Sequence, residues 1–215
     1  MTTKRIKYEP GAVFACQLPR GGWGAFVVPR WTELPSLSRK QAMICGVNRV
    51  WASCPSAEDA GALRYTDVCY FEFANCGALS RGLFPCIGRV ETFDSNDWPA
   101  PIQRTWGRPD GGPIEITVVE VWAGGFIEQQ NYLKDLSELD LLPYRSGLSY
   151  VEGFAESLDK ALRDRHPAVY FAVSQAAINL WNRIYADLER NGKLKEFAAD
   201  GWYSGGIDRT RPHKK

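Results

Sequence analysis

The sequence predicts an α+β protein, in which a twisted, partly closed and barrel-like antiparallel sheet is followed by two C-terminal amphipathic helices. Within residues 1–130, short β-prone apolar runs are separated by glycine and proline turns, which is the pattern of successive strands. After residue 130 the apolar residues recur with a helical period instead. We expect a β-rich domain over residues 1–130, and a helical segment over residues 131–215 that packs on it and ends in a basic, frayed tail.

The clearest predicted element is a β-hairpin near the start of the chain. Residues 12–18 and 23–28 are β-prone runs on either side of residues 19–22, which read Pro-Arg-Gly-Gly. Glycine allows the positive φ angles that tight hairpin turns need. The two runs are therefore predicted to pair as antiparallel neighbours.

Four further strands are predicted from apolar runs bounded by turn residues. They cover residues 41–53, 68–73, 83–90 and 114–122. Pro85 cannot donate a ladder hydrogen bond, so the third of these is expected to be an irregular or edge strand.

The connections between these strands carry signals of their own. Ser56 is predicted to open a short helical turn over residues 55–60. Residues 92–113 contain four prolines and several glycines and are predicted to form a long loop. Long loops in compact domains often carry function.

Two amphipathic helices are predicted in the last third of the chain. Ser149 and Glu152 have the spacing of a capping box, and the apolar residues that follow keep helical spacing until residues 165–167, Arg-His-Pro. The second helix is predicted over residues 168–191, with Gly192 as its C-terminal cap.

Net charge and hydropathy limit the possible partners and location. A formal net charge of +1 argues against a nucleic acid or an anionic membrane as partner, because binding to either usually needs a basic excess. No stretch approaches the roughly 20 apolar residues of a membrane helix, and no apolar signal core follows the N-terminus. We therefore expect a cytoplasmic protein.

The cysteines predict free thiols, not a metal site. None of the six is arranged as Cys-x-x-Cys, and several lie within apolar runs, where a thiol behaves as a small buried hydrophobe. The two histidines, His166 and His213, are distant from them in sequence, which argues against zinc. We expect no metal and no cofactor.

The residues that carry catalysis in other proteins do not form a recognisable pattern. His166 precedes Pro167 and is predicted to end a helix, while His213 lies in the basic tail, so neither is placed as a catalytic base. The glycine pairs lack the lysine and spacing of a phosphate loop. Glu115 and Glu120 have opposite parity along a strand and should face opposite sides of a sheet. These observations favour a binding protein over an enzyme.

A candidate binding surface lies in the predicted loop. Trp98 and Trp106 occur there with Asp97, Arg104 and Arg108, and tryptophan and arginine are enriched at interface hot spots. We select Trp98, Arg104, Trp106 and Asp97 as partner-binding candidates. The alternative is that the tryptophan rings fold back to cap the end of the sheet.

Two segments resemble a known family. Residues 8–19 (YEPGAVFACQLP), followed by residues 22–28 (GWGAFVV), look like the start of the immunity protein 26 family of bacterial polymorphic toxin systems. Residues 79–88 (LSRGLFPCIG), with Pro-Ala-Pro at residues 99–101, resemble its other recurrent stretch. The family usually carries Trp where this chain has Phe84.

The resemblance covers about the first 125 residues and implies an α+β fold and a cognate protein toxin as partner. It assigns no binding residue, because the matched positions look like scaffold, and it does not explain the helical segment. The leading hypothesis is therefore an immunity protein that blocks the active site or an essential surface of a toxin.

Three alternatives remain open at this point. The chain could be a nucleic-acid-associated or defence-system accessory domain that uses its basic tail, a hydrolase with paired carboxylates, or a homo-oligomer joined through the C-terminal helices. Each predicts a different observation: steeply salt-dependent binding to nucleic acid, a pocket with at least two acidic groups, or self-association.

Overall fold

The fold is α+β, as predicted, and the structure is a computed structural model. The described residues are 9–34, 39–75, 79, 82–94, 98, 102–107, 116–121, 125–127, 136–143, 151–166 and 169–190. In chain order the strands and helices are β1 (Ala12–Gln17), β2 (Trp23–Leu34), β3 (Arg39–Val47), α1 (Ala57–Gly61), β4 (Val68–Asn75), β5 (Cys86–Arg89), β6 (Ile102–Gly107), β7 (Ile116–Val121), β8 (Gly125–Ile127), α2 (Val151–Asp164) and α3 (Gln175–Arg190), with 3-10 turns at Tyr65–Asp67 and Leu136–Leu141.

The main sheet has five antiparallel strands in the order β4-β3-β2-β1-β5. The predicted hairpin is confirmed, because β1 pairs with β2 from Ala12 opposite Val28 to Gln17 opposite Trp23. Strands β4 and β5 are the two edges of this sheet and do not pair with each other. The sheet is therefore open, and the expected barrel-like closure describes it only loosely.

A second sheet of three strands, in the order β6-β7-β8, corrects the predicted loop. Residues 92–113 were expected to lack regular structure, but Ile102–Gly107 forms β6 and pairs with β7. The prolines of this region flank the strand, whereas Ile102, Thr105 and Trp106 within it are β-forming residues. Strand β8, which begins at Gly125, was not predicted.

Several strand ends also differ from the prediction, because β2 continues beyond residue 28 to Leu34 and β5 is limited to Cys86–Arg89. The run expected over residues 41–53 ends at Val47, after a register shift against β4. Beyond it, Trp51 makes only an isolated bridge to Trp23. The predicted edge strand is confirmed as β5, which follows Pro85 and pairs with β1 through a register shift.

Both faces of the five-stranded sheet are buried, because β1 carries apolar residues at consecutive positions that point to opposite sides. Helix α2 covers one face. There Phe26 contacts Phe154 of α2 edge to face, with ring centroids 4.6 Å apart, and it stacks on Phe14 at 5.4 Å. Leu158 completes this core.

Helix α3 covers the other face. Trp181 of α3 is almost fully buried and packs edge to face on Phe71 of β4, with centroids 5.9 Å apart. Ile178 and Ile184 join the same core beside Val27 of β2. The helical segment therefore packs on the sheet from both sides and forms a three-layer arrangement.

The helix ends are partly as predicted. Helix α2 ends at Asp164, directly before the Arg-His-Pro sequence. Helix α3 begins at Gln175, not at residue 168 as predicted, because the Ser174 side chain accepts a hydrogen bond from the Ala177 backbone N–H (3.2 Å) and caps the helix there. Ser149 and Gly192, the other predicted caps, lie outside the described residues.

The five described cysteines are free thiols, as predicted; Cys76 lies outside the described residues. Burial raises the pKa of Cys16 and of Cys69 to about 12, whereas Cys54 and Cys86 are exposed.

Among the described helices, none has both the length and the apolar character needed to span a membrane.

Candidate partner-binding surface

The turn of the β1–β2 hairpin is fixed to the end of helix α2 by a shared carboxylate. Asp159, whose side chain is 4% exposed, accepts from Arg20 Nε (2.5 Å) and from Arg163 Nε (2.8 Å). Arg163 also donates to the Gly21 backbone oxygen, and Arg20 donates to Asp164. This charge-assisted network holds the turn in one position.

The network also shifts the ionisation of its exposed members. The hydrogen bond from Arg20 is the main cause that lowers the pKa of Asp164 below its ordinary value of 3.8. In return, the hydrogen bonds to Asp164 and Asp159 raise the pKa of Arg20. Both partners therefore stay charged at neutral pH.

An exposed apolar side chain lies next to this turn. Val50 is 43% exposed, and a Cβ atom added at Gly22 would lie 2.9 Å from its Cγ1. The neighbouring Trp51 is half-buried, its indole N–H donates to Asp59 (3.3 Å), and the Arg49 guanidinium lies 5.5 Å from its ring centroid. Val50 is therefore carried by an ordered loop.

A second exposed apolar side chain is Leu83, at 59%. It lies between two anchored residues: Leu79 is buried, and Phe84 packs edge to face on Phe26 (5.3 Å) and on Phe154 (5.9 Å). No pattern in the sequence distinguishes Leu83 from the residues around it.

Strand register places Leu83 at the turn end of the hairpin. Strand β5 runs antiparallel to β1, with Cys86 opposite Phe14 and the Pro85 oxygen accepting from the Ala15 N–H (3.0 Å). Residues that precede Pro85 therefore lie toward the β1–β2 turn. We call the turn residues 19–22 together with Val50 and Leu83 the hairpin-end surface.

A cavity of about 260 Å³ lies on the α3 side of the sheet. It opens between the segment that joins α1 to β4 and the segment that follows β5. Its walls are Leu63, Arg64, Tyr65, Val90, Thr92 and Trp98. None of these is acidic, so this cavity does not supply the paired carboxylates of the hydrolase hypothesis.

The predicted partner-binding residues are not brought together in the described structure. Trp98 is 3% exposed, and its ring centroid lies 5.7 Å from that of Phe93, so this ring folds inward as the alternative proposed. Arg104 and Trp106 lie in β6, opposite Val119 and Thr117 of β7, and nothing further is described for their side chains. Asp97 lies outside the described residues. A contact of these residues with a partner stays a prediction.

Acidic and nucleophilic side chains could form a catalytic or metal site in the described residues only where they cluster. Glu72 is buried on the α2 side of β4 and accepts a hydrogen bond from the Tyr70 hydroxyl. His166 is exposed just beyond the end of α2. Within the described part of the chain, no group of three or more His, Cys, Asp or Glu residues is arranged to hold a metal ion.

Comparisons of the chain with family models, with curated proteins and with solved structures return no match. The resemblance to the immunity protein 26 family therefore depends on the two segments alone.

Proposed function

We propose that this protein is an immunity protein that binds a cognate protein toxin and neutralises it by covering its active site or an essential surface. The proposal is supported by one relationship between the two segments that resemble the immunity protein 26 family. Although 50 residues separate them along the chain, they form three neighbouring strands, β2, β1 and β5.

Strands β1 and β2 form the hairpin whose turn is part of the hairpin-end surface, Leu83 precedes β5, and Val50 lies in the loop that follows β3. The two apolar side chains of this surface, Val50 and Leu83, are exposed, although the residues that follow them, Trp51 and Phe84, pack against the two cores. An exposed apolar group on a rigid base loses little conformational entropy when a partner covers it. This favours a role in binding.

The chemistry of the surface suits a protein partner. Arg20 is partly exposed, as is Arg163, and arginine beside apolar groups is common at the centre of interfaces. A stable complex buries on the order of 1,600 Å² in total. The hairpin-end surface would supply the centre of such a contact, with the toxin reaching beyond it.

The test is a growth rescue by co-expression. The probe is the toxin candidate encoded beside this gene, whose expression alone should stop growth. Co-expression of this chain should restore growth, and the purified pair should co-elute on size exclusion. If the chain does not restore growth and does not bind that product, the proposal is wrong.

Variants then locate the interface. Val50→Asp combined with Leu83→Asp should abolish rescue, because two charges would have to be buried against the toxin. Ala172→Asp combined with Ala176→Asp places the same two charges at other exposed positions and should leave rescue intact. Circular dichroism and thermal melting of all variants check that the fold survives. Full rescue by the double variant would move the interface away from the hairpin end.

A further inference from the structure

We infer that Arg163 is the charged anchor beside the hairpin-end surface and binds an aspartate or glutamate side chain of the toxin. The contact uses the outer edge of its guanidinium, which is formed by Nη1 and Nη2. This inference rests on the proposed function, because it takes the partner to be a protein toxin. It goes further by naming the residue that recognises the toxin and the chemical group that is recognised.

The Arg163 side chain is held in one orientation by two fixed acceptors. Its Nε donates to Asp159 Oδ1 (2.8 Å), and its Nη2 donates to the Gly21 backbone oxygen (2.5 Å). Asp159 is buried, and Gly21 belongs to the turn that the same network fixes. Two hydrogen bonds leave the planar guanidinium little freedom to rotate, so its direction is set before a partner arrives.

The outer edge of this guanidinium is unused. A guanidinium carries five N–H groups, and Arg163 donates through one on Nε and one on Nη2. Among the described residues none accepts a hydrogen bond from Nη1, and the side chain is 36% exposed. The remaining N–H groups include a parallel pair, one on each terminal nitrogen, which matches the two oxygens of a carboxylate.

Arg20, which shares Asp159 with Arg163, has its outer edge occupied. Its Nε donates to the Asp159 side chain and its Nη2 to the Asp159 backbone oxygen. Its Nη1 and Nη2 also donate to the two carboxylate oxygens of Asp164 (2.7 and 3.1 Å). Asp164 thus binds the outer edge of Arg20 in the way that we infer for a toxin carboxylate on Arg163. This difference between the two arginines selects Arg163.

The charges around Arg163 favour an anion. Asp159 is 4% exposed and is shared between two guanidinium groups, so one buried negative charge faces two positive charges. Lys160 is exposed one turn earlier on α2 and is a neighbour of Arg163 on the helix surface. A lysine or arginine of a partner would be repelled here, whereas a carboxylate would gain charge-assisted hydrogen bonds.

The anchor is continuous with the exposed apolar part of the surface. Gly21, which accepts from Arg163, is followed by Gly22, where an added Cβ atom would lie 2.9 Å from Val50 Cγ1. A Cβ atom added at Gly21 would meet no described atom within 4 Å, so the turn between Arg163 and Val50 is uncovered. A toxin residue that covers Val50 would therefore keep water from the neighbouring ion pair, which strengthens that pair.

The test measures the affinity of the toxin candidate encoded beside this gene for variants at position 163, by titration calorimetry. Arg163→Gln should weaken binding at least about 30-fold, because a toxin carboxylate would be buried without its partner. Arg163→Lys keeps the charge but not the parallel pair of N–H groups, and should bind about tenfold more weakly than the parent. Urea unfolding checks that both variants are folded.

Arg190→Gln is the matched control. It removes the same charge from an exposed arginine of α3, the helix on the other face of the sheet, and should bind the toxin as the parent does. If Arg163→Gln also binds as the parent does while the toxin is still neutralised, the inference is wrong and the immunity function stands.

A spectroscopic signature separates recognition from a purely structural role. In NMR spectra of the full-length protein with 15N-labelled arginine, the Arg163 signals are assigned with Arg163→Lys. The Arg163 Nη1 protons should exchange with water more slowly when the toxin is bound, because they are then hydrogen-bonded. The Arg20 signals should change little, since Asp164 and Asp159 already occupy its donors. Unchanged exchange at Arg163 Nη1 in the complex would overturn the inference.

Neutral substitutions of the acidic residues of the toxin, Asp→Asn and Glu→Gln, locate the recognised group. One of them should weaken binding to the parent by a similar factor and cause no further loss with Arg163→Gln, because both changes remove the same ion pair. If no acidic residue of the toxin shows this coupling, Arg163 does not bind a carboxylate and the inference is wrong.

Two other results would also overturn it. If the parent protein neither binds nor neutralises the toxin, the proposed function fails and the inference fails with it. If the parent binds a short single-stranded DNA at physiological salt and Arg163→Gln abolishes that binding, the recognised anion is a phosphate of a nucleic acid and not a carboxylate of a protein.

Discussion

Gly46 of β3 lies directly beneath Leu158 of α2, so closely that a Cβ atom added at position 46 would be 2.6 Å from Leu158 Cδ1. The same atom would lie 3.0 Å from the Tyr70 ring on the neighbouring strand. Real Cβ atoms do not approach other atoms to 2.6 Å, so the helix reaches the sheet at this distance only because position 46 has no side chain. Gly24 of β2 meets Leu158 in the same way, at 2.8 Å.

The first prediction concerns this contact. Gly46→Ala should lower the free energy of unfolding by about 1–3 kcal/mol, the range found when methyl groups are forced into a packed core. Urea denaturation followed by tryptophan fluorescence measures the change.

Two further variants separate crowding from a general effect of removing glycine. Gly61→Ala in α1 has no atom closer than 3.8 Å to the new Cβ and should be neutral or stabilising. If Leu158→Ala is added to Gly46→Ala, the double variant should lose less stability than the sum of the single variants, because the crowding is relieved. Additive losses would show that Leu158 is not the residue that excludes a side chain.

The second prediction concerns the carboxylate that Arg20 and Arg163 share. Asp159→Asn keeps the shape of the side chain but removes its charge, and we expect a loss of about 1–3 kcal/mol, because two charge-assisted hydrogen bonds at a buried oxygen pair are weakened. The two arginines are partly exposed and can return to water, which keeps the loss below that of a fully buried pair. Thermal or urea unfolding gives the value.

Asp164→Asn is the matched control for this prediction. Asp164 also accepts from Arg20, but its side chain is 46% exposed, and exposed pairs contribute little. Asp164→Asn should therefore lower the free energy of unfolding much less than Asp159→Asn does. Equal losses at the two positions would mean that burial of Asp159 does not determine the strength of the network.

Those parts of the fold that depend on local chemistry could be predicted from the sequence. The glycine turn at residues 19–22 gave the hairpin, Ser56 gave the start of α1, and Pro85 gave the edge position of β5. In each case a few adjacent residues determine the backbone, through a φ angle, a capping oxygen or a missing N–H. These predictions did not need distant contacts.

The errors have a different origin. Residues 168–173 are mostly apolar and lie in the predicted helix, but the Phe171 N–H donates to the Cys69 oxygen at the edge of β4 (2.9 Å). Strand β6 was missed because its pairing with β7 is not visible in the prolines and glycines around it. Tertiary contacts decide both cases, and single-sequence patterns do not contain them.

Most of the candidate site could not be predicted from the sequence. Trp98 was selected as an exposed anchor, but its ring is buried and forms one wall of the cavity. The cavity combines residues 63–65 with Val90, Thr92 and Trp98, which only the fold brings together. From the sequence, Leu83 is assigned to the scaffold because it lies in a segment that resembles a structural stretch of the family, and exposure of a single apolar residue has no sequence signature.

The third prediction is a loss of stability in acid. Hydrogen bonds from the Ser56 backbone and side chain are the main causes that lower the pKa of Asp59, and Arg20 does the same for Asp164. A carboxyl whose pKa is lower in the folded than in the unfolded protein stabilises the fold above its unfolded pKa. That stabilisation is lost as the pH falls through the folded value.

The free energy of unfolding should therefore be roughly constant at pH values just above 3.8, the ordinary pKa of an aspartate. It should decline as the pH falls below about 4. Urea unfolding at a series of pH values measures this. The variant Asp59→Asn combined with Asp164→Asn should show a shallower decline than the parent, because two of the titrating groups are gone. An unchanged slope would show that other carboxyls control the acid transition.

The fourth prediction concerns the cysteines. Only the thiolate is reactive, and burial raises the pKa of Cys16 and Cys69 to about 12 and that of Cys45 well above its ordinary value. Cys54 and Cys86 are exposed. At pH 8, iodoacetamide should therefore modify Cys54 and Cys86 first, which peptide mapping by mass spectrometry resolves residue by residue.

Unfolding provides the control for thiol access. In concentrated urea the buried thiols reach solvent and recover ordinary pKa values, so all six cysteines of the chain should react at comparable rates. Because Cys45 lies in the α3-side core and Cys16 in the α2-side core, their rates under native conditions report the opening of the two sides of the sheet separately. Native labelling of Cys45 or Cys16 as fast as Cys54 would contradict the burial of both faces, on which the three-layer arrangement depends.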